Sequence, residues 1–159
     1  MRLYLIRHAV AAPRGPGVAD AARPLTLRGR TRFRRAVDGL RRLGVRFDGL
    51  RHSPLRRAVE TADLLAPIVA GPSVVSRRLV RPPDSALLAE IRGECVALVG
   101  HEPMLSSLAA WLVLDDKSLG AKFPLKKGAA LVLEGAPRPG EMRLVASFPP
   151  KSLRRIARR

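Results

Sequence analysis

The chain has 159 residues, 47% of them hydrophobic and 27% charged, a balance typical of a soluble globular protein, and no apolar run is long enough to cross a membrane. Cys95 is the only cysteine, which excludes an internal disulfide bond and a cysteine-based metal site and favours the reducing cytoplasm. The formal charge is +17, with 25 arginines and 5 lysines, so that the surface would attract anionic partners.

The amino-terminal part of the chain predicts a buried strand, a loop and an amphipathic helix. Residues 2–6 are apolar without a helical period, which predicts the strand, and the proline- and glycine-rich segment 9–24 predicts a loop without regular structure. Thr26 is the predicted N-cap of the helix, and Gly44 marks its end. Its core-facing side chains, at spacings of three and four, would be Phe33, Val37, Leu40 and Leu43.

A second strand-to-helix unit begins near Phe47. Ser53 is the predicted N-cap of its helix, and Pro54 occupies the first helical position, where a missing N–H does no harm. The side chains expected to face the core are Leu55, Val59, Ala62 and either Leu65 or Ala66.

The second half of the chain continues this alternation and then changes character. A short strand near 73–76 and a helix from about Ser85 to Ile91 are followed by CVALVG, a strongly apolar strand. The segment after it predicts a helix with an inward face of Leu105, Leu108, Ala109 and Leu112. Near the end, AALVLEG and MRLVASF predict a strand pair, and PKSLRRIARR predicts a basic terminal helix.

Strands that alternate with helices predict an α/β fold of three layers, with a mostly parallel central sheet and helices on both faces. The last hairpin is expected to add antiparallel strands. Because no repeat or linker divides the sequence, we expect one domain over residues 1–159, with a basic tail at 151–159. In such sheets ligands bind beyond the carboxyl ends of the strands.

Polar groups follow three of the predicted strands. Arg7 and His8 end the first, the segment 52–57 follows the second with two arginines, and His101 and Glu102 follow the strand CVALVG. Two of these junctions lead into helix N-termini, where free N–H groups and the helix dipole favour a negative charge. If the strands are parallel neighbours, all three groups meet at one edge of the sheet.

Arginines and histidines in one pocket suit a dianion such as a phosphoryl group. Arginine offers a planar fork of donors and a permanent charge. A histidine among arginines stays unprotonated and can attack phosphorus, while the other groups stabilise the charge on the oxygens. Each group alone has a plainer explanation, as a solvated loop, a capped helix start or a turn. Their joint occurrence at successive strand ends favours an active site.

Three segments together resemble the histidine phosphatase superfamily, whose signature is Arg-His-Gly or Arg-His-Ala after the first strand: LIRHA at 5–9, SPLRRAVETA at 53–62 and LVGHEP at 98–103. Within that superfamily, the short chain, RPLTLRG at 23–29 and PLKKGAALVLE at 124–134 resemble the SixA-type phosphohistidine phosphatases. The resemblance covers nearly the whole chain and implies a phosphoglycerate-mutase-like fold.

The resemblance implies that His8 attacks phosphorus and becomes a phosphohistidine, which water then hydrolyses. Arg7, Arg57 and His101 would hold the phosphoryl oxygens. Arg57 takes this role rather than Arg56 because it directly precedes the alanine of the motif.

The resemblance also raises questions about several neighbouring residues. Arg23 is a substrate-side contact or a loop arginine in solvent, and Lys126 and Lys127 are a basic lip of the pocket or an exposed turn. His52 lies outside the shared motif and is expected to be a neighbour of the helix cap. Many relatives have glycine at the position of Ala9, and alanine is tolerated there if the backbone does not need a positive φ.

The presence of a general acid decides the substrate class, because an alkoxide leaving group needs a proton whereas an imidazole departs with little help. Asp84 is expected to cap a helix, and Glu90 to be a solvated helix residue. Glu102 occupies the place where the acid phosphatase branch carries its donor, but it also suits the first turn of its helix. With no convincing acid, the sequence favours phosphohistidine, free or carried by a protein, as the substrate.

Two other functions stay open from the sequence. One is a broad phosphomonoester phosphatase of the same superfamily, and the other is a non-catalytic binder of anions or nucleic acid, supported by the charge and by KSLRRIARR. Against nucleic acid, aromatic residues make up only 4% of the chain, so platforms for base stacking are scarce. We expect neither a metal nor another cofactor, because no histidine and carboxylate cluster has metal-ligand spacing.

Overall fold

The computed structural model describes residues 1–158, in which six strands form one sheet surrounded by five α-helices. The strands are β1 (Arg2–Arg7), β2 (Gly49–His52), β3 (Ser73–Val75), β4 (Cys95–Gly100), β5 (Ala130–Gly135) and β6 (Met142–Phe148). The helices are α1 (Leu27–Arg42), α2 (Arg56–Leu65), α3 (Ser85–Glu90), α4 (Met104–Leu114) and α5 (Pro150–Ile156).

The sheet has the strand order β3-β2-β4-β1-β5-β6. Strands β1 to β4 are parallel to one another, whereas β5 and β6 run antiparallel to their neighbours. The prediction of a mostly parallel sheet with antiparallel strands from the last hairpin is therefore confirmed. Because β1 and β4 are central strands covered on both faces, both are apolar through their middle residues.

Successive side chains of β1 enter two different cores, one on each face of the sheet. Tyr4 and Ile6 pack with α1, α2 and α5, and Leu3 and Leu5 pack with α3 and α4 on the other face. The three-layer arrangement is thus confirmed. A Cβ atom at Gly39 of α1 would overlap the carbonyl group of Leu153, so this glycine allows α5 to pack tightly against α1.

Helix α1 begins and ends as its sequence predicts. The Thr26 side chain accepts a hydrogen bond from the N–H of Gly29 at 2.9 Å, and Gly44 has a φ of 73° just beyond the last turn. The prediction that Leu43 faces the core is wrong. Leu43 is 46% exposed, because it is the C-cap residue, at which the chain leaves the helix.

Helix α2 differs from the prediction in its start and in its buried face. It begins at Arg56, and Leu55 rather than Ser53 is its N-cap, without a side-chain hydrogen bond. The expected inward residues Leu55 and Val59 are half-buried and Ala66 is exposed, while Ala62 is buried. The buried face is Arg57, Ala58, Thr61, Ala62 and Leu65. The buried face of α2 is therefore rotated relative to the face that the apolar residues predict, and it includes the charged side chain of Arg57.

The remaining elements follow their predictions with one difference. The loop at 9–24 is more regular than expected, with a 3-10 turn at Asp20–Ala22 and a β-bridge between Ala11 and Leu25. Asp84 caps α3 as expected, by accepting a hydrogen bond from the N–H of Leu87 at 2.7 Å. Within residues 1–158, no helix combines the length and the hydropathy that a membrane span requires.

Candidate active site

The parallel register brings the three polar strand ends to one edge of the sheet. Arg7 at the end of β1 lies opposite Gly100 at the end of β4, and His52 of β2 lies opposite Val99. The residues that follow these strands therefore lie side by side. They border a pocket of about 370 Å³ whose polar lining is Arg7, His8, Arg14, Arg23, Arg57, His101, Glu102 and Lys127.

His8 is held in one orientation by the backbone. Its Nδ1 lies 2.7 Å from the carbonyl oxygen of Ala9, and because a carbonyl can only accept, Nδ1 carries the hydrogen. The lone pair of the neutral ring is then on Nε2. The His8 backbone is fixed as well, since its N–H donates to Gly100 and its carbonyl accepts from Gly128. This arrangement supplies a preoriented ring nitrogen with a free electron pair.

Both pocket histidines are buried and electrically neutral. Burial lowers the pKa of His8 most strongly, and the hydrogen bond to Ala9 acts to raise it. Nearby cations, with Arg57 the largest contributor, lower it further, so that the pKa of His8 is about 4. Burial followed by the proximity of His8 and Arg57 lowers the pKa of His101 to about 3. The two rings lie 5.1 Å apart between centroids. At neutral pH, each ring can therefore offer both a lone pair and an N–H.

Ser53 fixes the orientation of the His101 ring by a hydrogen bond between its hydroxyl and Nε2, and the same hydroxyl accepts from the N–H of Leu55 at 3.3 Å. When the hydroxyl donates to Nε2, the hydrogen of the His101 ring is on Nδ1, which is buried and has no partner. An unpartnered buried donor in a cationic pocket suits an anion oxygen. The expected cap residue of α2 is thus a neighbour of the site.

Two arginines are anchored by backbone carbonyls and still have free donors. Nη1 of Arg7 donates to the carbonyl of Leu125 at 2.7 Å, and Nη1 of Arg57 donates to the carbonyl of Asp20 at 2.7 Å. The Nε atoms of both arginines are buried without a partner. Their forks are therefore fixed in place and retain N–H groups for a ligand.

Asp20 is a site neighbour that sequence reasoning missed. Its Oδ2 accepts from Nη2 of Arg57 at 3.0 Å, and its Oδ1 accepts from Arg23 and Arg14, each at 2.9 Å. Desolvation acts to raise the pKa of Asp20, but hydrogen bonds from the three arginines outweigh it and lower the pKa to about 2. In the sequence, the one local indication of these contacts is that Asp20 lies three residues before Arg23. Nothing in a loop sequence indicates that it reaches α2.

Thr61 joins the loop after His8 to helix α2. Its hydroxyl accepts from the N–H of Ala9 at 3.1 Å and donates to the carbonyl of Arg57 at 2.6 Å. Ala9 is buried and does not have a positive φ, so the backbone at this position accommodates a methyl group. The backbone conformation next to His8 is therefore tied to the helix that carries Arg57.

The other predicted residues divide into those that reach the pocket and those that do not. Arg23 and Lys127 line it, whereas Lys126 is exposed and does not belong to its lining. His52 is buried, with Nδ1 at 3.0 Å from the carbonyl oxygen of Ser53, and does not line the pocket. Arg56 turns outward and pairs with Glu60.

The three acid candidates have different surroundings. Asp84 caps α3 and pairs with Arg78 at 3.3 Å, away from the pocket lining. The prediction that Glu90 is a solvated residue inside a helix is wrong, because it is the last residue of α3 and pairs with Arg78 at 3.2 Å. Glu102 precedes α4 and lines the pocket, where its carboxylate hydrogen-bonds the hydroxyl of Ser106.

A histidine and an arginine at the end of β1, facing an arginine from the first turn of α2, form a pattern shared with a known family. Residues 3–81, which include both segments, match the family model of the histidine phosphatase superfamily, branch 1. The chain belongs to this superfamily. Membership in this superfamily supports a phosphatase activity.

Individual relatives extend the similarity over nearly the full chain of this histidine phosphatase. An uncharacterized protein of Picosynechococcus sp. is 37% identical over 147 residues, which cover 87% of this chain and 88% of the relative. The fold is similar to that of the protein histidine phosphatase SixA, solved with tungstate, with a TM-score of 0.80, 22% identity and coverage of 96% and 99%. It is also similar to a phosphoserine phosphatase of Entamoeba histolytica, with a TM-score of 0.72, 16% identity and coverage of 96% and 98%.

Proposed function

We propose that the protein is a phosphohistidine phosphatase in which His8 is the nucleophile. The observation that carries the proposal is the contact between Nδ1 of His8 and the carbonyl of Ala9, which leaves the lone pair on Nε2 in a pocket with Arg7, Arg57 and His101. A neutral, oriented imidazole is the form that attacks phosphorus. The lowered pKa of His8 keeps it in this form at neutral pH.

In the first step, the Nε2 lone pair of His8 forms a bond to phosphorus while the P–N bond of the substrate breaks. The leaving imidazole keeps the electron pair of that bond and departs neutral, because its other ring nitrogen carries a proton. In the second step, water attacks the phosphorus of phospho-His8, the electron pair returns to Nε2, and inorganic phosphate leaves. The hydrogen on Nδ1 of His8 stays at the Ala9 carbonyl throughout. Both steps break a P–N bond, and neither requires a general acid.

The remaining residues would stabilise the phosphoryl group as charge spreads over its three equatorial oxygens. Arg7 and Arg57 supply N–H groups and permanent charge from positions fixed by backbone carbonyls. His101, oriented by its bond to Ser53, would supply its Nδ1–H in the tautomer in which the Ser53 hydroxyl donates to Nε2. Arg23 and Lys127 also line the pocket and would contact the part of the substrate beyond phosphorus.

The surroundings of the acid candidates favour a phosphorus–nitrogen bond over an ester. An alkoxide must receive a proton as it leaves, and the Glu102 carboxylate is engaged by Ser106, while Asp84 is outside the lining. The fold similarity to a protein histidine phosphatase supports the same choice. The substrate phosphohistidine would be free or carried by a protein.

One observation favours the second candidate, a broad phosphomonoester phosphatase. Glu102 is the only carboxylate residue in the described lining, and its Oε1 is buried without a partner. A carboxyl group in this place could protonate an alkoxide. The similar fold of a phosphoserine phosphatase supports this alternative.

The test compares hydrolysis of phosphohistidine, a phosphoserine peptide and a simple aryl phosphate by the purified protein. We expect a kcat/KM for phosphohistidine at least about tenfold above that for the two esters. His8→Ala should abolish phosphate release, whereas His52→Gln, at the buried histidine that does not line the pocket, should retain it. Equal rates on all three substrates would contradict the phosphohistidine preference. Activity that survives in His8→Ala would contradict the role of His8, and no phosphatase activity at all would favour a non-catalytic anion binder.

A further inference from the structure

A groove of about 390 Å³ continues from the catalytic pocket along the surface between α1 and α5. It starts at Ala9, directly after His8, and Lys127 borders both the groove and the pocket. Its floor is apolar and includes Phe33 and Pro150. A substrate whose phosphoryl group lay at His8 would therefore extend its neighbouring residues over this floor.

The walls of the groove are fixed by close packing. Gly39 allows α5 to lie directly against α1, and the N–H of Gly128 donates to the carbonyls of Arg7 and His8 at 3.0 and 3.1 Å. The second contact attaches the turn at 126–128 to the end of β1. The groove is thus a preformed part of the sheet edge rather than a space between independent surface loops.

Five cations surround this apolar floor: Arg32, Lys126, Lys127, Lys151 and Arg154. Within residues 1–158, no carboxylate lies within ion-pair distance of any of them, although carboxylates elsewhere pair with many of the arginines. Burial and the neighbouring Arg32, Arg158 and Arg35 lower the pKa of Arg154. Among the described residues, these cations are therefore crowded together without a neutralising carboxylate, which an acidic ligand would supply.

We propose that this groove binds an acidic segment of the protein that carries the phosphohistidine, with an apolar side chain on the floor and carboxylates on the five cations. The proposal rests on the proposed function and names its substrate class. The lining favours a protein over a nucleic acid, because base stacking needs an open aromatic face and Phe33, the aromatic residue of the floor, is only 4% exposed. The mixture of an apolar floor and a charged rim is typical of protein docking sites.

The test uses two peptides that carry the same phosphohistidine, one flanked by Asp, Glu and Leu and the other by Gln, Ser and Leu. We expect the wild-type protein to hydrolyse the acidic peptide with a kcat/KM about tenfold higher at low ionic strength, and the difference to decrease with salt. Free phosphohistidine is measured in parallel.

Lys126→Glu/Lys151→Glu reverses two exposed rim charges without changing the residues assigned to the catalytic pocket. The matched control is Arg46→Glu/Arg92→Glu, which changes the net charge equally at two exposed arginines that precede β2 and β4, at the opposite end of the sheet. We expect the first variant to lose the preference for the acidic peptide, the control to keep it, and both to hydrolyse free phosphohistidine as the wild type does.

If the wild type hydrolyses free phosphohistidine but both peptides at equal rates, or if the control variant loses the preference for the acidic peptide as the rim variant does, the groove does not bind an acidic segment. If the wild type does not hydrolyse free phosphohistidine at all, the proposed function is wrong instead. An oligonucleotide that competes with the acidic peptide, and that the rim variant alone fails to bind, would overturn the choice of a protein ligand.

Discussion

Asp20 binds both terminal nitrogens of Arg57, through its carbonyl oxygen at 2.7 Å and its Oδ2 at 3.0 Å. A residue of the long loop thus fixes the orientation of a side chain of α2. Asp20 thereby also forms an ion pair with this arginine. We expect Asp20 to be a positioning residue that acts through Arg57.

The first prediction concerns this positioning. Asp20→Ala should lower kcat/KM for phosphohistidine by about tenfold, because the Arg57 fork loses its orientation. Asp63→Ala, the matched control, removes an equal charge from an exposed position on α2 and should have no effect. If Asp20 acts through Arg57, the double variant Asp20→Ala/Arg57→Ala is no slower than Arg57→Ala alone. Fully additive losses would contradict this role.

The second prediction concerns the bond between Ser53 and His101. Ser53→Ala removes the hydrogen-bond partner of Nε2, so that the His101 ring is no longer held in one orientation for the phosphoryl group. We expect kcat/KM to fall by about tenfold, with a parallel loss of tungstate affinity measured by calorimetry. Ser76→Ala is the control, because Ser76 is a second buried serine that accepts a backbone N–H, at Arg78. Unchanged activity and tungstate affinity in Ser53→Ala would contradict the account.

The third prediction concerns stability against pH. Folding lowers the pKa of His8 from 6.5 to about 4 and that of His101 to about 3, so below pH 6.5 the unfolded chain binds protons that the folded chain does not. The free energy of unfolding should therefore decrease as the pH falls from 6.5 toward 4, by up to about 3 kcal/mol for His8. Urea unfolding across this range measures it. His8→Ala/His101→Ala should have a flatter profile, and a wild-type profile that is already as flat would contradict the neutral pair.

The fourth prediction separates the two candidate substrates. Glu102→Gln keeps the size of the side chain and removes its acid, so phosphohistidine hydrolysis should stay within about twofold of the wild type. Any residual phosphomonoester activity should decrease more strongly. A loss of phosphohistidine hydrolysis of about tenfold or more would indicate that Glu102 takes part in cleavage of the P–N bond.

The sequence predicts which strands and helices carry the site residues, because the apolar pattern changes where a strand ends or a helix begins. The turn from β1 into His8 and the strand CVALVG before His101 are both visible as apolar runs that stop at polar residues. Helix α2 was misplaced because Ser53 before Pro54 has the pattern of an N-cap, while its hydroxyl is bound to His101. The same hydroxyl still accepts the N–H of Leu55, as a capping group does, but the helix itself begins only at Arg56.

Contacts across loops are the part that the sequence could not supply. Asp20 lies in a segment without periodicity, and its partners Arg57 and Arg23 are identified only by the path of the folded chain. Helical periodicity alone assigns Arg57 to the outer face of α2, and only the resemblance to the histidine phosphatases predicts its place in the pocket. Burial of this charge is offset by its bonds to Asp20, which lies outside the helix.

The central claim is that His8 forms a covalent bond to phosphorus, and a rapid-quench trap tests it most directly. The protein is mixed with phosphohistidine labelled on phosphorus, quenched in alkali within milliseconds, digested and mapped by mass spectrometry. The account predicts an alkali-stable, acid-labile label on His8, and none in His8→Ala. A label on another residue, or phosphate release by the wild type with no phosphorylated enzyme, would contradict it.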